Sequence, residues 1–318
     1  MTSPMPVALG PGREFVSIAR WVRQWGSRAR GIGDDAAILD VSTGTRLVVS
    51  TDTTTEDVHF RRAWLAPIEI GWRATMAALS DLAAMGAEPL GVLIALGAPA
   101  SWDGALDEVL HGVGDACEAA KVPIIGGDTT RSPVLTLGIT VLGTATAPMR
   151  RDGARPGDLI YLTGSLGGPR AALEAWQAGK LPRATHRARF ARPVARLSMG
   201  AWCAANGATA AIDLSDGLVA DAGHIAAASG MQLTIELAAV PVLGGVMARD
   251  ALASGEEYEL LVTGPSGMDA AAKLARIGTL TPIGRVVATT LADGACVVVR
   301  DGPRRVDPPP GYDHLSPQ

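Results

Sequence analysis

The sequence predicts a mixed α/β (α+β) fold in two domains. Three observations support this: a length of 318 residues, an alternation of apolar strand-like runs with helical patterns, and one charged, Pro- and Gly-rich stretch at mid-chain. A chain of this length fits about two domains. The stretch at 148–158 reads PMRRDGARPGD and is typical of a linker. The prediction is an N-terminal domain over 1–147 and a C-terminal domain over 148–318.

The N-terminal half alternates between helix and strand. Pro67 suits the first turn of a helix and Gly86 suits its C-terminal cap, while Ser101 suits an N-cap. A strand is predicted to end at Asp52, after which the polar run 53–57 leaves the sheet. The predicted helices cover 13–25, 67–85 and 101–119, a glycine loop covers 31–35, and the strands cover 46–51, 91–99, 122–130 and 134–146.

The C-terminal half continues the alternation to about residue 300. Its clearest strands are the apolar runs LIYLTG at 159–164 and TAAIDLSDG at 209–217. The tail over 307–318 is Pro-rich and is predicted to be irregular. Helices are predicted over 167–179, 193–206 and 218–229.

Composition and charge exclude several classes of protein. Hydrophobic residues make up 47% of the chain but aromatic residues only 4%, so small residues do much of the packing. A net charge of −4 disfavours nucleic acid or an anionic membrane as the main partner. No signal peptide or apolar span is visible, so a soluble, cytoplasmic protein is expected. Cys117, Cys203 and Cys296 form no CxxC pattern and are expected to be buried, reduced and metal-free.

A set of aspartates follows apolar runs. Asp is favoured in turns, so any single one fits a structural role. Ligands bind at the strand ends of α/β sheets, however, and several convergent carboxylates need cations. Oxygen ligands suit Mg²⁺, which bridges carboxylates to phosphates. The aspartates are Asp34, Asp52, Asp128, Asp213 and Asp216.

Other polar groups fit a phosphate site. Asp81 lies in a helix that is apolar on most sides, so it is either partly buried and paired or on an exposed face. Gly126 and Gly127 would let backbone approach a phosphate closely. Three arginines of the linker could pair with nucleotide phosphates or remain solvated: Arg150, Arg151 and Arg155.

Familiar nucleotide motifs are absent from the sequence. It contains no P-loop, no protein-kinase HRD and DFG pair, and no G-x-S-x-G elbow. None of the three lysines, Lys121, Lys180 and Lys273, lies in a glycine-rich loop. A site that handles ATP would therefore neutralise its phosphates mainly with metal ions and arginine.

Seven motif blocks together resemble one family. In order they are GIGDDAAIL, STDTTTEDVHF, SDLAAMGAEP, IIGGDTTRSP, AIDLSDGL, SGEEYEL and GYDHL, and they span residues 31 to 315. This set resembles the thiamine-monophosphate kinase family, in the aminoimidazole ribonucleotide synthetase-like superfamily. The resemblance implies a two-domain fold with an N-terminal metal- and ATP-binding domain. It also implies a homodimer in which the N-terminal sheets pair into a barrel.

The resemblance implies transfer of a phosphate from ATP to thiamine monophosphate, with Mg²⁺ as cofactor. By motif, several Mg²⁺ ions would be held by Asp34, Ser50, Thr51, Asp52, Asp81, Asp128, Asp213 and Asp216. ATP would also touch Gly127, Asp128, Arg151 and Ser215. The acceptor would contact His59, Glu256 and Tyr312, of which His59 could instead be a packed residue and Tyr312 a docked tail residue.

The chain departs from the family pattern at two places near the acceptor side. The family commonly has Gly-Gly-Glu-Asp-Tyr-Glu where this chain has SGEEYE at 254–259, so Glu257 replaces an aspartate. The family also usually has Glu-Gly where this chain has Glu56 and Asp57. Both departures put acceptor affinity in question.

The expected chemistry needs little proton transfer. The acceptor is a phosphate monoester with a second pKa near ~6, so its oxygen is largely ionised at neutral pH. The obstacle is repulsion between two anionic phosphates, which metal ions relieve. Direct transfer is therefore expected, with no residue acting as general acid or base.

Two alternatives stay open on the sequence. One is another ATP-dependent enzyme of the superfamily, such as selenophosphate synthetase or an amidine-forming ligase. The former is expected to carry a reactive Cys and a Lys in an N-terminal glycine-rich loop, and this chain has no Cys before Cys117. The other is a nucleotide-binding paralogue without turnover, which the loss of a metal aspartate would indicate.

Overall fold

The computed structural model describes residues 37–40, 44–289, 294–309 and 311–312. The predicted helix over 13–25 and the glycine loop that contains Asp34 lie outside these residues. Within them, the fold is mixed α/β with two separate open sheets, one formed by each half of the chain. None of the described helices is long and apolar enough to cross a membrane.

The first sheet has five strands in the order β1-β2-β5-β3-β4. Only β3 and β4 run parallel, and the other neighbours are antiparallel. Alternate residues of β5 are buried, and two helices cover that face. The strands are β1 Ala37–Asp40, β2 Arg46–Thr55, β3 Glu88–Ala98, β4 Ile124–Arg131 and β5 Thr136–Ala145, and the helices are α1 Pro67–Ala84 and α2 Leu106–Ala119.

The second sheet has seven strands in the order β12-β11-β8-β10-β6-β9-β7. Only β8 and β11 run parallel. Its strands are β6 Leu159–Thr163, β7 Ala210–Asp213, β8 Met231–Glu236, β9 Leu260–Gly264, β10 Leu280–Ala288, β11 Cys296–Asp301 and β12 Arg304–Val306. Its helices are α3 Gly168–Gln177, α4 Ala184–Ala191, α5 Leu197–Ala205, α6 Leu218–Ser229, α7 Ala248–Ala251 and α8 Met268–Leu274.

Helix α1 joins the two halves. Pro67 begins it, and the Glu69 side chain accepts the backbone N–H of Ala66 at 2.9 Å, which caps the first turn. Its small buried residues Ala83 and Ala84 share a core with residues of α5. Gly200 of α5 makes this contact possible, because a Cβ there would lie 1.9 Å from the Ala83 carbonyl oxygen. Helix α1 is therefore packed against both halves.

The structure corrects several predicted elements of the first half. Strand β2 does not end at Asp52 but pairs with β5 as far as Thr55, because β-branched threonines suit a strand. Asp128 likewise lies within β4 and not after it. The helix over 101–119 is a 3₁₀ turn over Ala100–Trp102 followed by α2, so Ser101 is not an N-cap. Trp102 is buried and fixes that turn.

In the second half, the helix over 193–206 begins at Leu197, and a separate helix α4 precedes it. Pro193 separates the two, since the residue before a proline is disfavoured in a helix. The strand over 209–217 ends at Asp213. The helix over 218–229 is confirmed. Cys117 and Cys203 are buried as expected, which raises their thiol pKa to about 11 and about 12, whereas Cys296 is half-buried.

Candidate functional site

Asp52 lies at the centre of the candidate site. It is half-buried in β2, and its carboxylate accepts the backbone N–H of Thr53 at 2.8 Å. Burial raises the pKa of Asp52 above its ordinary value, and the nearby Glu256 adds to this, whereas His59 and Arg73 act in the opposite direction. Two predicted acceptor residues, His59 and Glu256, therefore lie within electrostatic reach of a predicted metal ligand.

Tyr258 marks where the two halves meet. It is buried, and its pKa is raised well above the ordinary value, first by burial and then by the negative charge of Glu256. Asp52 and Asp213 raise the same pKa further. Asp52 comes from the first sheet, and Asp213 ends β7 of the second. The structure thus brings carboxylates of both halves around one side chain.

Two hydroxyl residues of β2 flank Asp52. The Ser50 hydroxyl donates to the Asp81 carboxylate at 2.5 Å, which ties β2 to helix α1. The Thr51 hydroxyl lies 3.0 Å from that of Thr140 on β5. Asp81 is half-buried, so the exposed-face alternative for it is wrong. The His59 ring accepts the Thr55 N–H at Nδ1, 3.1 Å away, which places the proton of the neutral ring on Nε2.

The loop after β7 is shaped by Asp221. One oxygen of this buried carboxylate accepts three successive backbone N–H groups, from Ser215 at 3.1 Å, Asp216 at 3.2 Å and Gly217 at 3.0 Å. Gly217 has φ +120°, a conformation that favours glycine. Burial raises the pKa of Asp221 well above its ordinary value, and the charges of Asp216 and Asp213 add to this. The loop therefore presents Asp213, Ser215 and Asp216 together.

Two further predicted residues are attached to this loop through the backbone. The Glu256 N–H donates to the Ser215 carbonyl at 2.7 Å, and the Tyr312 N–H donates to the Asp216 carbonyl at 3.1 Å. The Tyr312 side chain is 43% exposed. Tyr312 is thus docked beside the predicted nucleotide and metal residues.

Gly127, Asp128 and Arg151 lie further away. The strand pairings from β4 through β3 and β5 to β2 join Asp128 to Ala95, Gly138 and Thr53 in turn. Three strand spacings, roughly 14 Å, therefore separate Asp128 from the Asp52 region. All residues of β4 are exposed. Arg151 begins a 3₁₀ turn, and the Arg151 carbonyl accepts the Ser229 hydroxyl at 2.7 Å. Ser229 is the last residue of α6, whereas Ser215 lies just before the first residue of that helix. These three residues are not gathered directly around Asp52.

The two departures from the family pattern do not act in the same way. Glu257 is buried, and its carboxylate accepts the N–H of Gly167 at 2.5 Å at the start of α3. Arg189 also donates to it at 3.3 Å. Asp57 is exposed with φ +62°, and its N–H donates to the Phe60 carbonyl at 2.7 Å in a turn. Glu257 therefore has a structural role, because it ties its own segment to Gly167 and Arg189. Asp57 lies in the turn that precedes His59.

The residues present fit magnesium. The donors around Asp52, Asp81 and the 213–217 loop are carboxylate and hydroxyl oxygens, which is the set that Mg²⁺ prefers. Ligand atoms of Asp216, Asp221 and His224 lie within 4.8 Å of one another. The charges of Asp216 and Asp213 raise the pKa of Asp221, so a bound cation would relieve the repulsion among these carboxylates. Asp34, which the sequence adds to the set, lies outside the described residues.

Sequence reasoning misses two residues of the site, Asp221 and Arg73. Asp221 follows Asp216 by five positions in a helix, and its contact with the loop could be suspected from an acidic residue in the first turn. Arg73 is a buried cation in the otherwise apolar helix α1. A charge within an apolar helix was the signal for Asp81, and it applies equally to Arg73.

Known families match both halves of the chain. The family described as AIR synthase related protein, N-terminal domain, matches residues 33–145, and its C-terminal domain counterpart matches residues 155–293. Hydrogenase maturation protein HypE, at 22% identity and a TM-score of 0.72, shares the fold.

Curated relatives and solved structures are more specific. A thiamine-monophosphate kinase of Escherichia coli is 36% identical over 327 residues, covering 95% of this chain and 98% of the relative. A thiamine-monophosphate kinase of Mycobacterium tuberculosis is 33% identical over 304 residues, which cover 94% of this chain and 90% of the relative. The structure of AaThiL complexed with AMPPCP and TMP has a TM-score of 0.83 and 30% identity over 96% of this chain and 97% of that one. The crystal structure of the thiamine-monophosphate kinase from Stenotrophomonas maltophilia has a TM-score of 0.74 and 36% sequence identity. The match covers 90% of this chain and 96% of that one. The chain therefore belongs to the thiamine-monophosphate kinase family, within the AIR synthase related proteins.

Proposed function

We propose that this chain transfers the γ-phosphate of ATP to the phosphate of thiamine monophosphate, in a magnesium-dependent reaction that gives thiamine diphosphate and ADP. The observation that carries the proposal is the meeting of Asp52, Asp213 and Glu256 around Tyr258. These carboxylates come from both halves of a chain that matches the kinases over nearly its full length.

The metal side of the proposed site consists of oxygen donors. When bound, Mg²⁺ would neutralise the phosphates of nucleotide and acceptor. Several Mg²⁺ ions are proposed, held by Asp34, Ser50, Thr51, Asp52, Asp81, Asp128, Asp213 and Asp216. The 213–217 loop, fixed by Asp221, supports this assignment because it holds two of these residues, Asp213 and Asp216, in place before any ligand binds.

The nucleotide is proposed to contact Gly127, Asp128, Arg151 and Ser215. Ser215 lies in the loop beside Asp213, whereas Gly127 and Asp128 lie on the exposed strand β4. They would therefore hold a different part of the nucleotide from Asp52. The neighbouring AaThiL structure holds AMPPCP and TMP together, which supports separate nucleotide and acceptor positions.

The acceptor is proposed to contact His59, Glu256 and Tyr312. His59 and Glu256 lie within electrostatic reach of Asp52, and Tyr312 is docked on the Asp216 carbonyl. The acceptor phosphate is already largely ionised at neutral pH, since its second pKa is near ~6. No side chain has to remove a proton, so direct transfer without a phosphoenzyme is proposed.

The assembly proposed is a homodimer whose N-terminal sheets pair into a barrel. Both sheets of the described chain are open, and β4 leaves an exposed edge with apolar Ile124 and Ile125. The division into domains over 1–147 and 148–318 is also a proposal, supported by the separate strands of the two sheets. A cytoplasmic location remains a prediction.

The test measures ADP and thiamine diphosphate from ATP and Mg²⁺, with and without thiamine monophosphate. We expect ADP to depend on the acceptor and to match the diphosphate formed. Asp52→Asn should lower turnover at least ~100-fold, because one metal carboxylate is lost. ATP binding without acceptor-dependent ADP would favour another superfamily substrate or a non-catalytic paralogue.

A further inference from the structure

Arg73 of helix α1 reaches from the N-terminal half into the acceptor side of the site. Its side chain is only 2% exposed, and its guanidinium forms an ion pair with the Glu256 carboxylate. The same group donates to the Phe190 carbonyl at 2.5 Å and stacks 3.9 Å from the Phe190 ring centroid. We propose that Arg73 is a positioning residue that sets the Glu256 carboxylate for acceptor recognition. This inference rests on the proposed function.

The guanidinium is held independently of Glu256. Phe190 contacts it with both its ring and its carbonyl, and the centroid of the Tyr258 ring lies 5.8 Å from it. A planar guanidinium can stack and donate along fixed directions at the same time, which a lysine ammonium cannot. The position of the positive charge is therefore set by the core before Glu256 pairs with it.

Glu256 has two anchors with different roles. Its backbone adopts φ +57° and its N–H donates to the Ser215 carbonyl, so its main chain is held by the 213–217 loop. Its side chain is 29% exposed and depends on Arg73 for its direction. The pairing leaves part of the carboxylate open to a ligand.

Charge explains why this pairing serves the acceptor. Thiamine monophosphate carries a cationic ring and an amino group that a carboxylate can bind, together with an anionic phosphate that a carboxylate repels. Arg73 neutralises Glu256, which stands beside Asp52, so the anionic end of the acceptor meets less repulsion. Arg73 thereby links helix α1 to acceptor affinity without touching the nucleotide.

The test compares Arg73→Lys with the wild-type chain by kinetics and by calorimetric binding of thiamine monophosphate alone. We expect the KM and Kd for thiamine monophosphate to rise roughly tenfold, whereas the KM for ATP changes less than about threefold. KM and Kd do not depend on the folded fraction of the preparation, so partial loss of folding does not obscure the result.

Arg187 provides the matched control. It forms a bidentate pair with Glu69 at 2.7 Å for each bond, so it also joins the C-terminal half to helix α1 but away from Glu256. Arg187→Lys should leave both KM values within about twofold. A similar rise in the acceptor KM for both variants, or an equal rise in both KM values for Arg73→Lys, would overturn the proposal.

A double-mutant cycle separates positioning from a general effect on the fold. If Arg73 acts through Glu256, Arg73→Lys should add little to the acceptor Kd of Glu256→Gln, whereas independent roles would give additive losses. Additive losses therefore refute the positioning role. Failure of the wild-type chain to form thiamine diphosphate would refute the proposed function instead, so the two failures are distinguishable.

Discussion

Asp221 determines the shape of the 213–217 loop through a single carboxylate oxygen. Three backbone N–H groups point at this oxygen, and they belong to Ser215, Asp216 and Gly217. A carboxylate that accepts several backbone N–H groups fixes a turn more firmly than a neutral acceptor does. The residues of this loop that are proposed to bind metal and nucleotide are thus oriented by Asp221, which is not among the proposed substrate contacts.

Asp221→Ala should impair magnesium use more than it impairs the fold. The free energy of unfolding is expected to fall by about 1–3 kcal/mol, because buried N–H groups lose their acceptor. The Mg²⁺ concentration for half-maximal activity should rise at least ~5-fold, because Asp213 and Asp216 lose their orientation. Exposed Asp107 supplies the control, and unchanged magnesium dependence in Asp221→Ala would contradict this role.

Glu257 makes stability depend on pH. Burial raises its pKa from 4.5 to about 7, although Arg189 and the Gly167 N–H oppose the rise. Between these values the folded state binds more protons than the unfolded state, so the free energy of unfolding falls as pH increases. Glu257→Gln removes this titration.

Denaturant titrations from pH 5 to pH 7 test the effect. We expect the wild-type chain to lose about 2 kcal/mol of its free energy of unfolding relative to Glu257→Gln between pH 5 and pH 7. Exposed Glu174 supplies the control substitution Glu174→Gln, which should leave the pH profile unchanged. Parallel profiles for wild type and Glu257→Gln would show that Glu257 is ionised throughout.

At the candidate site, the sequence marks residues by three signals: a strand end, a family motif, or a charge within an apolar helix, as at Asp81. Asp213 at the end of β7 and Ser215 in the loop were predicted from the run AIDLSD. Asp221 and Arg73 were missed because each lies inside a helix, where a polar residue ordinarily indicates a solvated face. Arg73 in addition pairs with Glu256 in the other half of the chain, so a local sequence pattern does not reveal its partner.

Among the secondary-structure elements, the close contact between α1 and α5 fixes how the two halves of the chain pack together. A Cβ at Gly200 would lie 1.9 Å from the Ala83 carbonyl oxygen, which is backbone and cannot move aside cheaply. Asp81 and Arg73 both lie on α1, so a displacement of this helix would also displace two residues to which roles in the site are proposed. Packing and function are therefore coupled in one helix.

Gly200→Ala should destabilise the chain by about 1–3 kcal/mol and lower activity together with it. Gly114 in α2 has open space around its Cβ position, so Gly114→Ala should be neutral or stabilising by about 0.5–1 kcal/mol. Thermal unfolding of both variants measures the difference. Equal effects of the two substitutions would show that the helices do not approach closely in solution.

Elements with strong periodicity were predicted well, and α1 and α6 match closely. The strand predicted over 46–51 ended too early, because β2 continues through a polar run beyond Asp52, whereas the strand predicted over 122–130 matches β4, with Asp128 inside it. Pairing with β5 and β3 keeps these residues in strands, and such partners are not visible in a local sequence pattern. The expectation that both aspartates follow strand ends is wrong for that reason.

At the scale of the whole molecule, the exposed edge of the first sheet favours association. Ile124 and Ile125 on β4 are 44% and 53% exposed, and an unpaired apolar edge strand is a ready site for another chain. We expect light scattering to give the mass of two chains. Ile124→Glu should shift the protein toward monomer, whereas the control Leu181→Glu, at a residue 94% exposed in the other half, should not.

The central claim is transfer of the γ-phosphoryl group of ATP onto the phosphate of thiamine monophosphate. The most direct measurement follows a radiolabelled γ-phosphate in a single turnover with Mg²⁺ and thiamine monophosphate. We expect the label to appear in the terminal phosphate of thiamine diphosphate, with none on the protein. Label in inorganic phosphate alone, or label retained on the protein before product forms, would contradict it.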